Sequence, residues 1–283
     1  MSKKLLYVSI FSCAWALNIF LNKLALNAGA HALTYTIQTS FLSSLLICAY
    51  LLKTQGKKVF HIPSGIILRL IGLGITVGAA YILGILSLQF TTSINYGFLI
   101  KSTILFTTIL AWIVLNEQLT KSKIILLIVF IVGAYLISTG GKVLLPHFGD
   151  LLVLAAAFCF SSAVIVTKPL FKHINSDIIS GYRLIFSSLV LVLLIPVFHI
   201  NIFVVQEPLN ILVVGFSTVI LALYLNKTLS VASASYLTMM SMLTPVVVSI
   251  LGFFVLNESM NSFQILGGLL TIACGVIAHK LEV

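Results

Sequence analysis

Charge is scarce in this chain: charged side chains make up 8% of its 283 residues, and only six of those residues are acidic. A water-exposed globule of this length needs far more charge on its surface, so lipid must cover much of the chain. Cysteine is also sparse. Cys13, Cys48, Cys159 and Cys274 form no CxxC pair and have no His at metal-ligand spacing. They read as small packing residues, and neither a disulfide framework nor a metal site is expected. The six His (His31, His61, His147, His173, His199 and His279) fall at the ends of apolar runs or between them, where interfacial placement accounts for them. Gly140-Gly141-Lys142 lacks the spacing of a phosphate loop, so ATP-driven transport has no support. The apolar runs hold no paired carboxylates and no Cys–His or Ser–His–Asp constellation. The chain is therefore not expected to be an enzyme, no catalytic residue is assigned, and no cofactor is expected.

Apolar residues, by contrast, make up 60% of the chain. They gather into stretches of about 20 residues, the length that crosses a bilayer as a helix. Ten such spans are read, at 5–27, 32–52, 66–88, 92–115, 121–139, 149–168, 177–198, 209–227, 233–256 and 261–280. The fold class expected is an all-α polytopic membrane protein. A large soluble α/β core would show polar helix faces that these runs do not have. The first run continues past Leu24 without a convincing small-residue cleavage site, so it reads as a retained helix and not as a signal peptide.

The net charge of +10 is an orientation signal. With a cytoplasmic N-terminus, Lys3, Lys4, Lys53, Lys57, Lys58, Lys121, Lys123, Lys168, Lys172, Lys227 and Lys280 all lie at cytoplasmic ends or loops. Only Lys23 and Lys142 fall on the other side. This bias places both termini in the cytoplasm, in a cell or inner membrane, and speaks against a nucleic-acid surface. The expected partners are the bilayer and a small-molecule substrate, with the chain a monomer or weak homodimer.

The most specific motif is a duplication. Val114-Leu115-Asn116-Glu117 recurs as Val255-Leu256-Asn257-Glu258, 141 residues later. Lys23 corresponds to Lys168, and Phe41-Leu42-Ser43-Ser44 to Ile185-Phe186-Ser187-Ser188. Two units follow, 1–145 and 146–283, each with five spans. An odd number makes the second unit enter the membrane from the opposite side. The 53–64 loop carries three Lys and its counterpart at 198–209 carries none, as that inversion requires. Inverted repeats place a pseudo-two-fold axis in the membrane plane, with a central site about which one bundle rocks against the other.

These features resemble the drug/metabolite transporter superfamily, EamA type, over essentially the whole chain. The residues carrying the resemblance are the two Leu-Asn-Glu turns, Thr244-Pro245, Lys23, Lys168 and Arg183. The chain has Asn-Glu where the family usually shows Gly-Glu, Ile104 where a second Pro is common, and Thr39 where a second Arg is common. The resemblance implies secondary transport of small organic metabolites, often amino acids. It also implies a cavity lined by spans one to four and six to nine, with spans five and ten at the periphery. For Arg183 it implies a structural or gating role near the cytoplasmic end. The buried first-helix Glu of the related small multidrug pumps is not present; Asn18 and Asn22 stand in that helix.

Several residues are candidates for the cavity. Lys101 lies about nine residues inside span four, on the order of 13 Å of rise. A charge so deep costs roughly 3 kcal/mol on insertion scales and usually faces a cavity or a partner. Its repeat mate is Met242, which shares a helical face with Ser235, Thr238, Pro245 and Ser249. Lys101 is thus expected to be a cavity cation for a carboxylate or phosphate, or else to snorkel to water or be satisfied by carbonyls. Trp15, Asn18 and Asn22 form one stripe of span one, and Tyr35, Gln38 and Thr39 a polar group on span two. Each set serves either as substrate contacts or as interhelical glue. Tyr81, Tyr96, Tyr224 and Tyr236 suit a planar or zwitterionic ligand or the membrane interface. Gly74 and Gly78 form a GxxxG packing motif.

All six acids (Glu117, Asp150, Asp177, Glu207, Glu258 and Glu282) fall at span ends, in loops or in the tail. That distribution disfavours export of lipophilic cations and proton coupling through an intramembrane carboxylate. The function expected is alternating-access transport of amino acids or related carboxylates. Phosphorylated or nucleotide-type anions are the alternative substrate. A non-transporting or enzymatic membrane protein is the alternative class.

Overall fold

Hydropathy sets the architecture and short polar turns punctuate it. The computed structural model describes residues 3–141, 147–241 and 243–282. Among them there is no strand. Span one is Lys3–Asn27, span two Ala32–Gln55, span three Ser64–Phe90, span four Ser93–Leu115 and span five Lys121–Thr139. Span six is Phe148–Thr167, span seven Ser176–Phe198, span eight Pro208–Val231, span nine Ala234–Leu256 and span ten Ser262–Glu282. Eight are long and apolar enough to cross a bilayer. Spans five and ten, with 19 and 21 residues, complete the ten at roughly 28–32 Å each. The chain is a multi-pass helical membrane protein. Leu68, Leu209 and Phe254 are more than 70% exposed, an apolar surface that only lipid tolerates in quantity.

The two halves use one packing scheme twice. Span one lies along span eight, and span three along span six. Span two packs on span seven, span five on span ten, and span four on span nine. Exchanging the halves turns the one–eight pairing into the six–three pairing and maps each of the other three onto itself. Glycine allows close approach at the span five–span ten pairing and at a further contact between spans three and seven. A Cβ on Gly267 of span ten would stand 2.5 Å from the Gly133 carbonyl oxygen of span five. Gly74 and Gly78 seat span three on Phe186 and Val190 of span seven.

The duplicated Asn-Glu turns have a reciprocal job. Asn116 and Asn257 adopt left-handed conformations (φ 55° and 54°) that end spans four and nine. Glu117 then accepts hydrogen bonds from the Ala234 amide (3.1 Å) and the Ser235 hydroxyl (2.8 Å) at the start of span nine. Glu258 accepts from the Ser93 amide and hydroxyl (both 2.8 Å) and the Ile94 amide (3.0 Å) at the start of span four. The end of each span meets the beginning of the other, so the two run antiparallel. A carboxylate at a helix N-terminus satisfies orphan amides and complements the macrodipole.

Lys23 and Lys168 complete the same corners. Lys23 Nζ donates to the Leu88 and Thr91 carbonyls (2.7 and 2.9 Å), closing the C-terminus of span three. Lys168 Nζ donates to Leu229 (2.8 Å) and Ala232, closing span eight. Each corner thus has a Lys on the outgoing helix end and a Glu on the incoming one.

Spans four and nine are broken at equivalent places. Span four runs as Ser93–Leu99, a 3-10 turn Ile100–Ser102 and Thr103–Leu115. Span nine runs as Ala234–Met240 and Leu243–Leu256 with a turn at Ser241. Pro245 accounts for strain in span nine. Span four breaks without proline, and the Ser161 hydroxyl of span six reaches the Thr103 carbonyl just after the break (3.2 Å) while also donating to Ala157 in its own helix (2.8 Å).

Candidate functional site

The breaks in spans four and nine open onto a cavity of about 90 Å³. One water needs roughly 10–15 Å³ on that measure, so the space suits a ligand of several heavy atoms. Span one contributes Trp15, Asn18 and Asn22; span three contributes Tyr81 and Leu88; span seven contributes Arg183. Thr103 and Thr107 come from span four, Phe160 and Ser161 from span six, Thr218 from span eight, and Thr238 and Ser241 from span nine. Spans five and ten supply no lining residue. A second chamber of about 50 Å³ adjoins the first, with Asn18, Asn22, Tyr81, Ile85 and Thr218 lining both.

The lining has an aromatic strip and an electrostatic bias. Trp15 packs edge-on against Phe160 (5.8 Å between centroids) and Phe160 against Tyr81 (6.0 Å). Among the described residues, no carboxylate lines either chamber. Arg183 is 1% exposed, and its Nε and Nη1 have no hydrogen-bond partner. The Tyr81 hydroxyl lies beside the guanidinium without a well-formed hydrogen bond. Thr103 Oγ1 and Thr107 Oγ1 are likewise buried and unpartnered. A group of unsatisfied polar atoms around one cationic fork is what a binding site presents and a packed core avoids.

Of the expected cavity residues, Trp15, Asn18, Asn22, Tyr81, Tyr96, Arg183 and Thr238 line the space. Asn18 is glue as well, since its amide donates to Ser217 (2.6 Å) and accepts from Thr218 (3.0 Å). Four expected residues stand elsewhere or are occupied. Gln38 donates to the Ile202 and Val204 carbonyls (2.9 and 3.0 Å), pinning the connection before span eight. Ser235 is held by Glu117, and Tyr236 is absent from the lining. Met242 lies outside the described residues.

Lys101 requires a correction of the expected facing. It is fully buried and donates to Ser241 (3.0 Å), with its ammonium 4.1 Å from the centre of the Trp15 ring. Trp15 and Ser241 form the cavity wall, and Lys101 stands behind them. The physical reason is the 3-10 turn. It advances side chains by about 120° per residue, so the face inferred for Lys101 from its repeat mate Met242 does not carry across the break. The cation that reaches the cavity is Arg183.

Thr103, Thr107, Ser241, Phe160 and Thr218 were not singled out from sequence. Thr103 and Thr107 carried a usable signal: two hydroxyls four residues apart share a face in a half-span whose only other polar side chain is Thr108.

A model of the EamA-like transporter family matches residues 2–139 and 147–278, nearly all of both halves. The chain belongs to the EamA-like transporter family. Among curated relatives, the uncharacterized transporter YoaV of Bacillus subtilis (strain 168) is 28% identical over 235 residues, 77% of this chain and 76% of that protein. The uncharacterized transporter YyaM of the same organism is 26% identical over 255 residues, 83% and 82% of the two chains. A protein of known crystal structure shares the fold at a TM-score of 0.72 and 17% identity, covering 98% of this chain and 99% of that one. Membership makes this EamA-type chain a transporter in general terms, and the cavity at its broken helices is the candidate substrate site.

Proposed function

We propose that the chain carries amino acids or related small carboxylates across the cytoplasmic membrane by alternating access. The observation that carries this reading is Arg183: a buried guanidinium, unpartnered at Nε and Nη1, in a cavity without a carboxylate. Such a charge costs several kcal/mol of desolvation when nothing answers it, and a bound carboxylate offsets that cost with bidentate, charge-assisted hydrogen bonds. The aromatic strip of Trp15, Phe160 and Tyr81 supplies an apolar bed for the rest of the ligand. Lys101, one side chain behind the wall, adds positive potential without touching the ligand.

In this reading the reciprocal contacts of spans four and nine belong to an inverted repeat of 1–145 and 146–283. Both termini are cytoplasmic and a single chain suffices as the transporting unit. The test is solute counterflow in proteoliposomes with a panel of amino acids, organic acids, phosphorylated metabolites and quaternary ammonium compounds. Exchange confined to carboxylates, lost in Arg183→Gln, supports the proposal. Exchange of cations alone refutes it.

A further inference from the structure

The second chamber faces the ligand with a different chemistry. Its span-two wall is Thr36, Thr39 and Ser40, each less than 10% exposed. The Thr36 hydroxyl donates back to the Ala32 carbonyl (2.8 Å), and the Thr39 hydroxyl to Tyr35 and Thr36 (3.0 and 3.1 Å). The Thr218 hydroxyl donates to Asn18 Oδ1 (3.0 Å). These three hydroxyls have spent their protons on the protein, and what they turn to the chamber is lone pairs. Ser40 Oγ is buried without a partner and can accept as well as donate. The span-two wall is therefore rich in acceptors, while Tyr81 and Asn22 carry donors on the rest of the lining and Arg183 is purely a donor.

The sequence repeat relates the two ends. Thr39 and Arg183 occupy corresponding positions in the two halves, offset by the same 144 residues as Phe41-Leu42-Ser43-Ser44 and Ile185-Phe186-Ser187-Ser188. Tyr81 lies beside the guanidinium and also lines the second chamber, so only one side chain separates the two subsites. We propose that Thr36, Thr39 and Ser40 form a donor-recognising subsite, selecting carboxylates that bear an amino or hydroxyl group next to the carboxylate over those bearing a carbonyl there. An amino or hydroxyl group brings protons to these lone pairs. A 2-oxo group or a second carboxylate brings only lone pairs to the Thr36 and Thr39 oxygens, which have none of their protons to offer, and is bound less tightly. This inference rests on the carboxylate reading of Arg183 and adds what recognises the substituent beside that carboxylate.

The experiment is equilibrium binding to the purified full chain in lipid nanodiscs, using matched sets of 2-amino, 2-hydroxy and 2-oxo acids with the same side chain. The amino or hydroxy member is expected to bind at least about tenfold more tightly than the oxo member, the worth of one hydrogen bond to a buried polar group. Thr39→Val keeps the shape of the side chain and Ser40→Ala removes a hydroxyl with no partner in the protein. Each is expected to bring the ratio down toward one. Equal or tighter binding of the oxo acid by the unaltered protein overturns the subsite without recourse to any variant. So does a ratio that both substitutions leave intact. The two readings fail differently. If Arg183→Gln binds every set as the unaltered protein does, the carboxylate reading falls. If binding needs Arg183 but ignores the donor, only the subsite falls. If no member of any set binds, both fall.

Discussion

Glu117, in the turn after span four, accepts a hydrogen bond from the Ser235 hydroxyl at 2.8 Å in the first turn of span nine, 118 residues along the chain. Glu258 does the same for Ser93 at the start of span four. The duplicated motif is thus a pair of reciprocal N-terminal caps that tie the two discontinuous spans end to end. With Lys23 and Lys168 closing spans three and eight beside them, each corner is held by one cation and one anion acting on backbone groups.

Removing a cap should cost stability. Glu117→Ala and Glu258→Ala are each expected to destabilise the protein by about 1.5–3 kcal/mol, the range for hydrogen bonds to a charged group. Thermal unfolding in detergent checks this, and because the corners are independent the double variant should lose close to the sum of the two. A variant with an unchanged midpoint would show that the caps are incidental.

The left-handed residue before each Glu gives a sharper comparison. At φ 55° Asn116 tolerates glycine but not a β-branched side chain. Asn116→Gly is expected to be near neutral, while Asn116→Val should cost at least about 1–2 kcal/mol. The same thermal assay separates them.

Much of this architecture was legible in the sequence. The ten apolar runs match the ten helical spans to within a few residues at most ends, because lipid-facing helices advertise their length in hydropathy alone. The lysine and Asn-Glu repeats also pointed to a duplicated unit, but that each motif caps a span of the other half shows only in the hydrogen bonds. The facing of particular side chains was less legible. Lys101 was expected in the cavity, yet a proline-free 3-10 turn at Ile100–Ser102 rotates it behind Trp15. Gln38 was read either as a substrate contact or as interhelical glue, and it spends its amide on carbonyls at 202 and 204, a pairing over more than 160 residues that local pattern cannot show. Thr36 and Ser40 are ordinary hydroxyls in sequence. Only the hydrogen-bond directions around them reveal an acceptor-rich wall.

Trp15 should report occupancy of the cavity. The chain has two tryptophans, and Trp112 is 51% exposed on the outer surface. Ligand-induced change in tryptophan fluorescence is expected to survive Trp112→Phe and to vanish in Trp15→Phe. The reverse result would place the ligand outside the cavity.

The two buried cations should separate in binding. Lys101→Met is expected to weaken carboxylate binding by no more than about tenfold, because it removes potential but no direct bond. It should also loosen the joint between the two broken spans, lowering the unfolding midpoint through loss of the Ser241 bond. Arg183→Gln is expected to weaken binding by about 100-fold or more, as for the loss of a bidentate charged pair. Titration of both variants with the best-bound carboxylate tests the ranking.

Counterflow through Arg183 tests the central claim most directly. Proteoliposomes holding the unaltered protein and loaded with an unlabelled amino or organic acid should accumulate the labelled compound, while Arg183→Gln, shown to be folded by its unfolding midpoint, should stay at the protein-free background. Full counterflow by Arg183→Gln would contradict the account.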